Sequence, residues 1–201
     1  LVVDEWGGWY DVVDGTNPGF LFQQNTMRDA MIAGLVLNIF NNHADRVKMA
    51  NLAQTVNVLQ AVILTDEEKM LLTPTYHVMH MYKVHQDATL LDTDFESPVY
   101  ALDGEDLPAI SVSASRDDQG KVHISLVNID ASRSHPVSLN LKGLVSGDMD
   151  AAILRSGNLQ DHNTFDNPEK IKPVSFRDFR FRNGMLPASL PPFSVLVFSE
   201  N

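Results

Sequence analysis

The chain of 201 residues contains no cysteine. This excludes a disulfide framework, a thiolate nucleophile and a metal site with cysteine ligands, and it leaves the redox compartment open. Basic residues are scarce: 15 Lys and Arg stand against 26 Asp and Glu, which gives a net charge of −11 at pH 7. Because phosphate contacts need clustered Lys and Arg, we expect no nucleic-acid partner and no electrostatic docking on an anionic membrane.

Long apolar runs are also missing. The most apolar helix candidate, near residues 27–40, is interrupted by Arg28, Asp29 and Asn38, so no membrane span is predicted. The sequence has no initiator Met and no signal peptide, and it starts inside a strand pattern. We therefore expect an upstream portion of the polypeptide to precede it and to carry any export signal. A periplasmic or secreted location is favoured over a cytoplasmic one.

The most informative stretch is residues 1–10, which read LVVDEWGGWY. The apolar start is typical of a buried parallel strand. The strand pattern ends in Asp4 and Glu5, and Trp6 and Trp9 follow around two glycines. A carboxylate beside aromatic rings at a strand end suits sugar chemistry, because sugars stack on rings and donate hydrogen bonds to acids. The alternative is an ordinary strand end followed by a loop with two core tryptophans.

Residues 1–87 follow the order strand, helix, strand, helix. The first helix is capped by Asn25 or Thr26, the second strand covers 46–53, and the second helix opens at Thr73 before a proline. Right-handed crossovers would make the two strands parallel. These two βα units would supply a quarter of a (β/α)8 barrel, which typically needs about 250 residues.

From Thr89 onward the pattern changes to short alternating strands. The strand candidates are 110–114, 122–129, 137–141, 151–154, 176–181 and 194–199. A turn over 117–120 joins the first two. Many short strands at intervals of about ten residues are typical of a β-sandwich. The predicted organisation is therefore an α/β portion over 1–87 followed by an all-β domain over 88–201.

Other candidate ligand groups are better explained by local structure. His43 at a predicted helix end suits an interaction with the helix dipole, although a catalytic role stays open. His77, His80 and His85 follow one another along the second helix, but no acid or cysteine has the spacing that metal motifs require. The acidic runs lack EF-hand spacing and are predicted to be solvated turns: 92–96 and 103–106. We expect no metal and no cofactor.

Several blocks of sequence together resemble one enzyme family. Residues 5–10 (EWGGWY) are similar to the Glu-Trp-x-x-Trp-Tyr segment around the nucleophile of the α-L-arabinofuranosidases of glycoside hydrolase family 51. Residues 43–58 resemble that family's segment after the next barrel helix. Three further blocks resemble its C-terminal sandwich: 97–100, 163–171 and 190–195. The blocks occur in the family's order and cover nearly the whole chain.

The resemblance implies an architecture. Because the family's enzymes are longer, this chain resembles their C-terminal part. Residues 1–87 would be strands seven and eight of the catalytic barrel with their helices, and residues 88–201 a jelly-roll-like β-sandwich. Two strands taken from a closed barrel would expose unpaired edges, so we expect the missing upstream barrel polypeptide or further copies in a homo-oligomer as partners.

The resemblance also assigns site residues. It makes Glu5 the nucleophile of a retaining, exo-acting enzyme and makes Gln54 a contact to a ring hydroxyl in the glycone subsite. Trp6 and Trp9 would lie around the nucleophile, and Trp9 is the better candidate for a wall facing the sugar. Asp4 is the neighbouring alternative to Glu5. Adjacent strand residues point to opposite faces, so one of the two should face the pocket, and the motif favours Glu5.

A second carboxyl group is harder to place. A retaining glycosidase needs one about 5–5.5 Å from the nucleophile. The family's acid/base Glu lies in an Asn-Glu pair at the end of barrel strand four, and no Asn-Glu pair occurs here. Nothing marks Asp66, Glu67 or Glu68 as replacements. We therefore expect the acid/base to lie upstream and the 201-residue chain alone to be inactive.

The expected parent enzyme removes terminal α-L-arabinofuranosyl groups from arabinan, arabinoxylan or their oligosaccharides. An acidic surface is compatible with such neutral substrates. The alternative, from a different class, is a non-catalytic β-sandwich module that binds carbohydrate or serves a structural role. The sequence has no Trp after Trp9, which favours a supporting domain over a lectin-like one.

Overall fold

A computed structural model describes residues 1–144 and 147–201. Its first part holds both α-helices, and the elements in order are β1 (Val2–Trp6), α1 (Met27–Asn42), β2 (Met49–Leu52), β3 (Ile63–Asp66), β4 (Lys69–Leu72) and α2 (Pro74–Tyr82). β1 and β2 pair in parallel with α1 between them in sequence. The order strand, helix, strand, helix is therefore present, with an antiparallel hairpin of β3 and β4 added before α2.

The helix starts follow the capping residues. The backbone N–H of Thr26 donates to Asp29 Oδ2 at 2.7 Å, which closes one half of a capping box at the start of α1. At the start of α2, Thr73 Oγ1 accepts from the N–H of Tyr76 at 3.3 Å, and Pro74 takes the first helical position. Of the two capping residues predicted for the first helix, Asn25 and Thr26, Thr26 is the one that caps α1.

The second part is built of strands. They are β5 (Thr89–Leu90), β6 (Val99–Leu102), β7 (Glu105–Pro108), β8 (Ile110–Arg116), β9 (Val122–Asn128), β10 (His135–Asn140), β11 (Met149–Arg155), β12 (Val174–Ser175), β13 (Met185–Leu190) and β14 (Ser194–Glu200). Six of them form an antiparallel sheet in the order β12-β11-β14-β9-β8-β5. β10 pairs with β13, and β6 pairs with β7 as a separate hairpin. The all-β character of this part is as the sequence predicts.

The predicted strand over 176–181 is wrong. The segment forms only isolated bridges to β13, at Phe179 with Ala188 and at Arg182 with Met185, and its aromatic rings pack into the core. Phe176 stacks on Phe179 with ring centroids 6.2 Å apart, and Phe179 meets the edge of Phe198 at 5.0 Å. The arginines between them are exposed. The strand that pairs with β10 is β13, which the sequence pattern does not predict because it contains a proline at position 187.

Both helices pack on one face of the six-stranded sheet. A buried apolar cluster joins them to β9 and β14 through Met27, Ala30, Val78, Val127 and Val195. The approach of α1 is close: a Cβ at Gly34 would lie 2.9 Å from Val127 Cγ2. No helix in the described part of the chain is long and apolar enough to cross a membrane.

A buried amide holds this helix-sheet interface. Asn38 Oδ1 accepts from Tyr82 Oη at 3.0 Å and from Ser125 Oγ at 2.7 Å, while Asn38 Nδ2 donates to Ser111 Oγ at 3.1 Å. One side chain of α1 is thereby bonded to α2 and to two strands. Burial raises the pKa of Tyr82, so its hydroxyl stays protonated and remains a donor.

Replacing this amide should weaken the whole interface. Asn38→Ala removes the shorter hydrogen bonds of the buried hydroxyls of Tyr82 and Ser125 and leaves them only the carbonyls of Gly34 at 3.2 Å and Ser113 at 3.4 Å. We therefore expect the free energy of unfolding to fall by about 1–3 kcal/mol. Urea denaturation followed by circular dichroism measures it. Asn42→Ala, on the exposed end of the same helix, removes only a solvent-exposed hydrogen bond from Asn42 Nδ2 to the carbonyl of Val112, so it is the matched control and should cost about 0.5 kcal/mol. Equal losses in both variants would contradict the role given to Asn38.

A second buried polar group organises the turn before β10. Asp130 Oδ1 accepts from the backbone N–H groups of Ser132 and Arg133, both at 2.9 Å, and Asp130 Oδ2 lies 2.9 Å from His135 Nε2. Burial by itself raises the pKa of this carboxyl. The hydrogen bonds and the nearby guanidinium of Arg133 outweigh it and lower the pKa to about 2.

This shift makes part of the stability dependent on pH. The folded-state pKa of Asp130 lies below its ordinary value of 3.8, so its contribution is complete above about pH 5 and disappears as the pH falls through about 2. Asp130→Asn should therefore unfold at lower urea than wild type at pH 7, with a difference that shrinks by pH 3. The exposed Asp118→Asn serves as control. A difference that does not depend on pH would refute this assignment.

Candidate active site

The two parallel strands bring their carboxyl ends to one edge. Glu5 lies near the end of β1, and Gln54 follows β2 by two residues, after a cis Ala53–Gln54 peptide. The side chains of Asp4, Glu5 and Gln54 are all exposed. Within residues 1–144 and 147–201, no ion pair involves Glu5.

The register of β1 is irregular at the two acids. Val3 is paired with Ala50, and the next pair joins Trp6 to Leu52, so β1 has one residue more than β2 between these positions. Such a bulge interrupts the strict alternation of side chains. Alternation therefore does not decide between the two acids, and the preference for Glu5 over Asp4 rests on the sequence motif.

The two tryptophans have different surroundings. Trp6 is half-buried beside the helix cluster, and its ring meets Phe40 of α1 edge-on, with centroids 5.7 Å apart. Its Nε1 is buried and has no hydrogen-bond partner among the described residues. Trp9 is 64% exposed. The exposed ring of Trp9 has room for a ligand, whereas the contact with Phe40 makes Trp6 a packing residue. That either tryptophan contacts a sugar stays a prediction.

A buried carboxylate and a buried amide hold the turn between the tryptophans. Gln60 Nε2 donates to the carbonyl of Gly8 at 2.9 Å and to Asp29 Oδ1 at 2.8 Å. Asp29 is fully buried, and its other oxygen caps α1. Gly7 has a φ of +128°, and a Cβ there would lie 2.4 Å from Gln60 Cγ. The turn and the amide therefore fit against each other closely enough to require glycine.

A second amide fixes the same turn from the other side. The backbone N–H of Tyr10 donates to Gln23 Oε1 at 3.0 Å, and Gln23 Nε2 donates to the carbonyl of Gly8 at 3.0 Å. The guanidinium of Arg28 lies 3.5 Å from the centroid of the Tyr10 ring, at cation–π distance. The pKa of the Tyr10 hydroxyl is raised above its ordinary value, mainly by burial. The charge of Arg28 opposes this rise, and the charge of Asp29 adds to it. Sequence reasoning missed Gln23, Arg28, Asp29 and Gln60, because the contacts that link them to the turn and to one another include pairs between 13 and 52 residues apart in sequence.

A groove with a volume of about 820 Å³ lies beside Gln54. Its walls come from the loop after β1, the loop after β2, the β3–β4 hairpin and Phe165, and its lining includes Asn17, Phe20, Phe22, Gln54, Asn57 and Asp66. Phe20 is 68% exposed. Amide, carboxylate and aromatic groups in one concave surface suit a carbohydrate. Glu5 and Trp9 are not among the lining residues, so Gln54 alone of the predicted site residues faces this groove.

The side chain of Asn57 shapes one wall. Asn57 Nδ2 donates to Thr65 Oγ1 at 2.9 Å, and the N–H of Thr65 donates back to Asn57 Oδ1 at 2.8 Å. This pair ties the loop after β2 to the hairpin. The usable sequence signal for the groove was the loop over 11–19, dense in Asp, Gly, Asn and Pro, directly after a parallel strand.

The histidines lie outside this region. The backbone N–H of His43 donates to the carbonyls of Ile39 and Phe40, which ends α1. Burial and the nearby His123 lower the pKa of His85 to about 4, and its Nδ1 lies 2.7 Å from Ser115 Oγ. Across the described ranges no three His, Cys, Asp or Glu side chains are placed to hold a metal ion.

Comparison with known proteins supplies the family. The family model "Alpha-L-arabinofuranosidase C-terminal domain" matches residues 4–194. An intracellular exo-α-L-arabinofuranosidase of Bacteroides ovatus is 43% identical over 198 residues, covering 98% of this chain and 38% of the relative. An intracellular exo-α-(1→5)-L-arabinofuranosidase of Streptomyces lividans is 28% identical, covering 96% and 31%. The crystal structure of the GH51 arabinofuranosidase from Xanthomonas axonopodis pv. citri superposes with a TM-score of 0.97 at 46% identity, covering 100% of this chain and 41% of that chain.

These matches confirm one expectation and overturn another. The resemblance to the C-terminal part of family 51 arabinofuranosidases is confirmed, and the chain spans between 31% and 41% of the length of these relatives. The preference for a periplasmic or secreted location is wrong, because the Bacteroides and Streptomyces relatives are both named intracellular enzymes.

The close fit at Gly7 can be tested by stability. Gly7→Ala adds a Cβ that collides with Gln60 at a positive φ, so we expect a loss of about 3 kcal/mol in the free energy of unfolding. Gly15→Ala is the matched control: its φ is +84°, but nothing lies within 4 Å of the added Cβ, so about 1–2 kcal/mol of backbone strain should remain. In a Gln60→Ala background the excess cost at Gly7 should shrink. An unchanged excess would show that Gln60 is not the obstacle.

Proposed function

The chain belongs to the α-L-arabinofuranosidase C-terminal domain family, and from this membership we propose that it is the C-terminal part of a retaining, exo-acting glycoside hydrolase of family 51. In this proposal residues 1–87 are the last two βα units of a (β/α)8 barrel. Residues 88–201 form the β-sandwich that follows it. The parallel pairing of β1 and β2 around α1 supports the first assignment, and the entry of β5 at Thr89 into the six-stranded sheet supports the second.

Glu5 is the nucleophile in this proposal. Its carboxylate attacks the anomeric carbon, the bond to the leaving oxygen breaks, and a covalent glycosyl-enzyme forms. Water then attacks the same carbon from the opposite side and releases Glu5, so two inversions give net retention. The support is the motif around Glu5, its exposure at the end of a parallel strand, and the neighbouring turn, which Asp29, Gln23 and Gln60 hold rigidly.

The acid/base residue lies on upstream polypeptide. It would protonate the leaving oxygen and then take a proton from the attacking water, and it must sit about 5–5.5 Å from Glu5. Asp66, the acid of the groove beside Gln54, ends β3 of the antiparallel hairpin, and no ion pair among the described residues includes it. The site is therefore divided between this chain and the missing part of the barrel, and the chain alone is inactive.

The substrate is a terminal α-L-arabinofuranosyl group on arabinan, arabinoxylan or their oligosaccharides. Gln54 would bond a ring hydroxyl, because an amide both donates and accepts, and Trp9 would form a wall of the sugar site. The groove beside Gln54 would receive a further part of the substrate. The relative from Streptomyces lividans, named for α-(1→5) linkages, supports short arabinan oligosaccharides inside the cell as the substrates.

The alternative of a carbohydrate-binding sandwich has less support. Such modules present exposed aromatic side chains to a glycan. In the described ranges of the sandwich, 88–144 and 147–201, every aromatic side chain is buried or half-buried. The sheet instead carries α1 and α2 on its face. A supporting role beneath the catalytic portion agrees with these contacts.

The divided site gives a direct activity test. In the polypeptide extended through its upstream barrel, Glu5→Ala should lower kcat/KM for an aryl α-L-arabinofuranoside by roughly 10³-fold or more. Azide should restore turnover and give a glycosyl azide of inverted configuration, because it replaces the missing nucleophile. Asp4→Asn is the matched control and should lose less than about tenfold.

Two outcomes would refute parts of the proposal. If Asp4→Asn is inactive and Glu5→Ala is not, the nucleophile has been assigned to the wrong acid. If the 201-residue chain hydrolyses the substrate without upstream polypeptide and depends on Glu5, a second carboxyl group of this chain completes the site.

A further inference from the structure

One large apolar side chain of the groove beside Gln54 lies outside the cores of the protein. Phe20 is 68% exposed, and it belongs to none of the three buried apolar clusters in the described part of the chain. The two other phenylalanines that line the groove, Phe22 and Phe165, both pack against the buried cluster of the β3–β4 hairpin. Packing therefore explains the positions of Phe22 and Phe165, and it does not explain that of Phe20.

A capped turn fixes the backbone at Phe20. Pro18–Phe20 form a single turn of 3₁₀ helix, and Asn17 starts it, because Asn17 Oδ1 accepts from the N–H of Gly19 at 3.0 Å. The N–H of Phe20 donates to the carbonyl of Asn17, also at 3.0 Å. Leu21 ends the turn in a left-handed conformation. The exposed ring therefore projects from a backbone of defined shape, so a ligand that stacks on it would have little chain to order.

Two leucines in the left-handed region join this turn to the loop after β2. Leu21 has a φ of +51° and Leu59 a φ of +50°, values that bulky residues rarely adopt. The N–H of Leu59 donates to the carbonyl of Leu21 at 3.0 Å. Asn57, which lines the groove, has a φ of +59°. Backbone strain of this kind persists where surrounding contacts enforce it, and it clusters at ligand sites. The strain supports a binding role for the groove.

The position of the groove favours substrate as its occupant over a further part of the polypeptide. Its walls include the loops that follow β1 and β2. Because β1 and β2 pair directly, further strands of the proposed barrel can pair only at their outer edges, not between them. The lining also presents the amide of Gln54 and the carboxylate of Asp66, which bond hydroxyl groups. An aromatic face with such groups around it is suited to a neutral sugar ring.

We propose that Phe20 is a specificity-determining residue that stacks on a sugar ring beyond the terminal arabinosyl group. This inference rests on the proposed function, in which Gln54 bonds the terminal sugar. Because Gln54 and Phe20 line the same groove, the remainder of a bound oligosaccharide extends from one to the other. The C–H face of the second ring packs on the phenyl ring. This contact is equally strong in the ground state and the transition state, so it lowers KM and leaves kcat unchanged.

Phe20→Ala separates substrates with a second sugar ring from those without one. In the polypeptide extended through its upstream barrel, KM for α-(1→5)-linked arabinotriose should rise by about five- to tenfold, with kcat unchanged. For methyl α-L-arabinofuranoside, which has no second ring, kcat/KM should change by less than about twofold. Phe20→Tyr keeps the aromatic face and should restore the wild-type KM for arabinotriose. An arabinofuranosyl-xylotriose, measured alongside, shows whether an arabinan or a xylan ring is the one that stacks.

Two further variants serve as controls. Val13→Ala changes a residue of the same loop that is 36% exposed and lies outside the lining of the groove, so it should leave kcat/KM for all three substrates unchanged. Phe22→Ala removes a ring that packs against the hairpin cluster, so it should lower the temperature of thermal unfolding. Phe20→Ala should not lower it, because its ring is outside that cluster.

The outcomes distinguish failure of this inference from failure of the proposed function. If the wild-type enzyme hydrolyses none of the three substrates, the proposed function fails and the role of Phe20 fails with it. If wild type hydrolyses them and Phe20→Ala impairs neither long substrate, or impairs the methyl glycoside equally, the role of Phe20 alone is refuted. A loss that Phe20→Tyr does not restore would also refute stacking. A restorable loss on either long substrate that spares the methyl glycoside supports it.

Discussion

The buried carboxylate of Asp29 is the interaction on which the candidate site depends. A charge without access to water is stable only when hydrogen bonds surround it. Asp29 receives them from the backbone of Thr26, which starts α1, and from Gln60, which holds the turn at Gly8. The guanidinium of Arg28 also pairs with Asp29 Oδ2 at 3.3 Å. The start of the helix, the loop after β2 and the turn after β1 are thereby joined at one point. Residues that belong to three separate segments behave as one unit around Glu5.

The sandwich extends this unit. Asn38 bonds α1 to α2 and to strands of the six-stranded sheet, and the apolar cluster around Met27 and Val195 fills the space beside it. A helix that is bonded at its start to the turn after β1 and along its length to a sheet has little freedom to shift. The all-β part therefore immobilises the helix whose start is bonded to the turn after β1.

The elements with a regular hydrophobic period were predictable, and those without one were not. The periods of α1, α2, β8, β9 and β14 are clear in the sequence, because each buries one face or a whole segment. β3 and β4 were missed since their turn is a run of exposed acids that resembles a simple loop. β13 contains a proline, and the hairpin of β6 and β7 has no buried face, so neither carries the signal on which a sequence search depends.

The sequence by itself determined the family, through a carboxylate beside aromatic residues at a strand end and the blocks that follow it, and it excluded thiol chemistry. Only the tertiary structure decided which residues hold the turn beside that carboxylate. Gln23, Asp29 and Gln60 are ordinary polar residues in the sequence, and their importance arises from burial beside one another. Burial and hydrogen-bond partners depend on segments up to 52 residues apart, as between Gly8 and Gln60. Such contacts form only when the chain folds, because local sequence patterns contain no information about which distant side chain will occupy a given cavity.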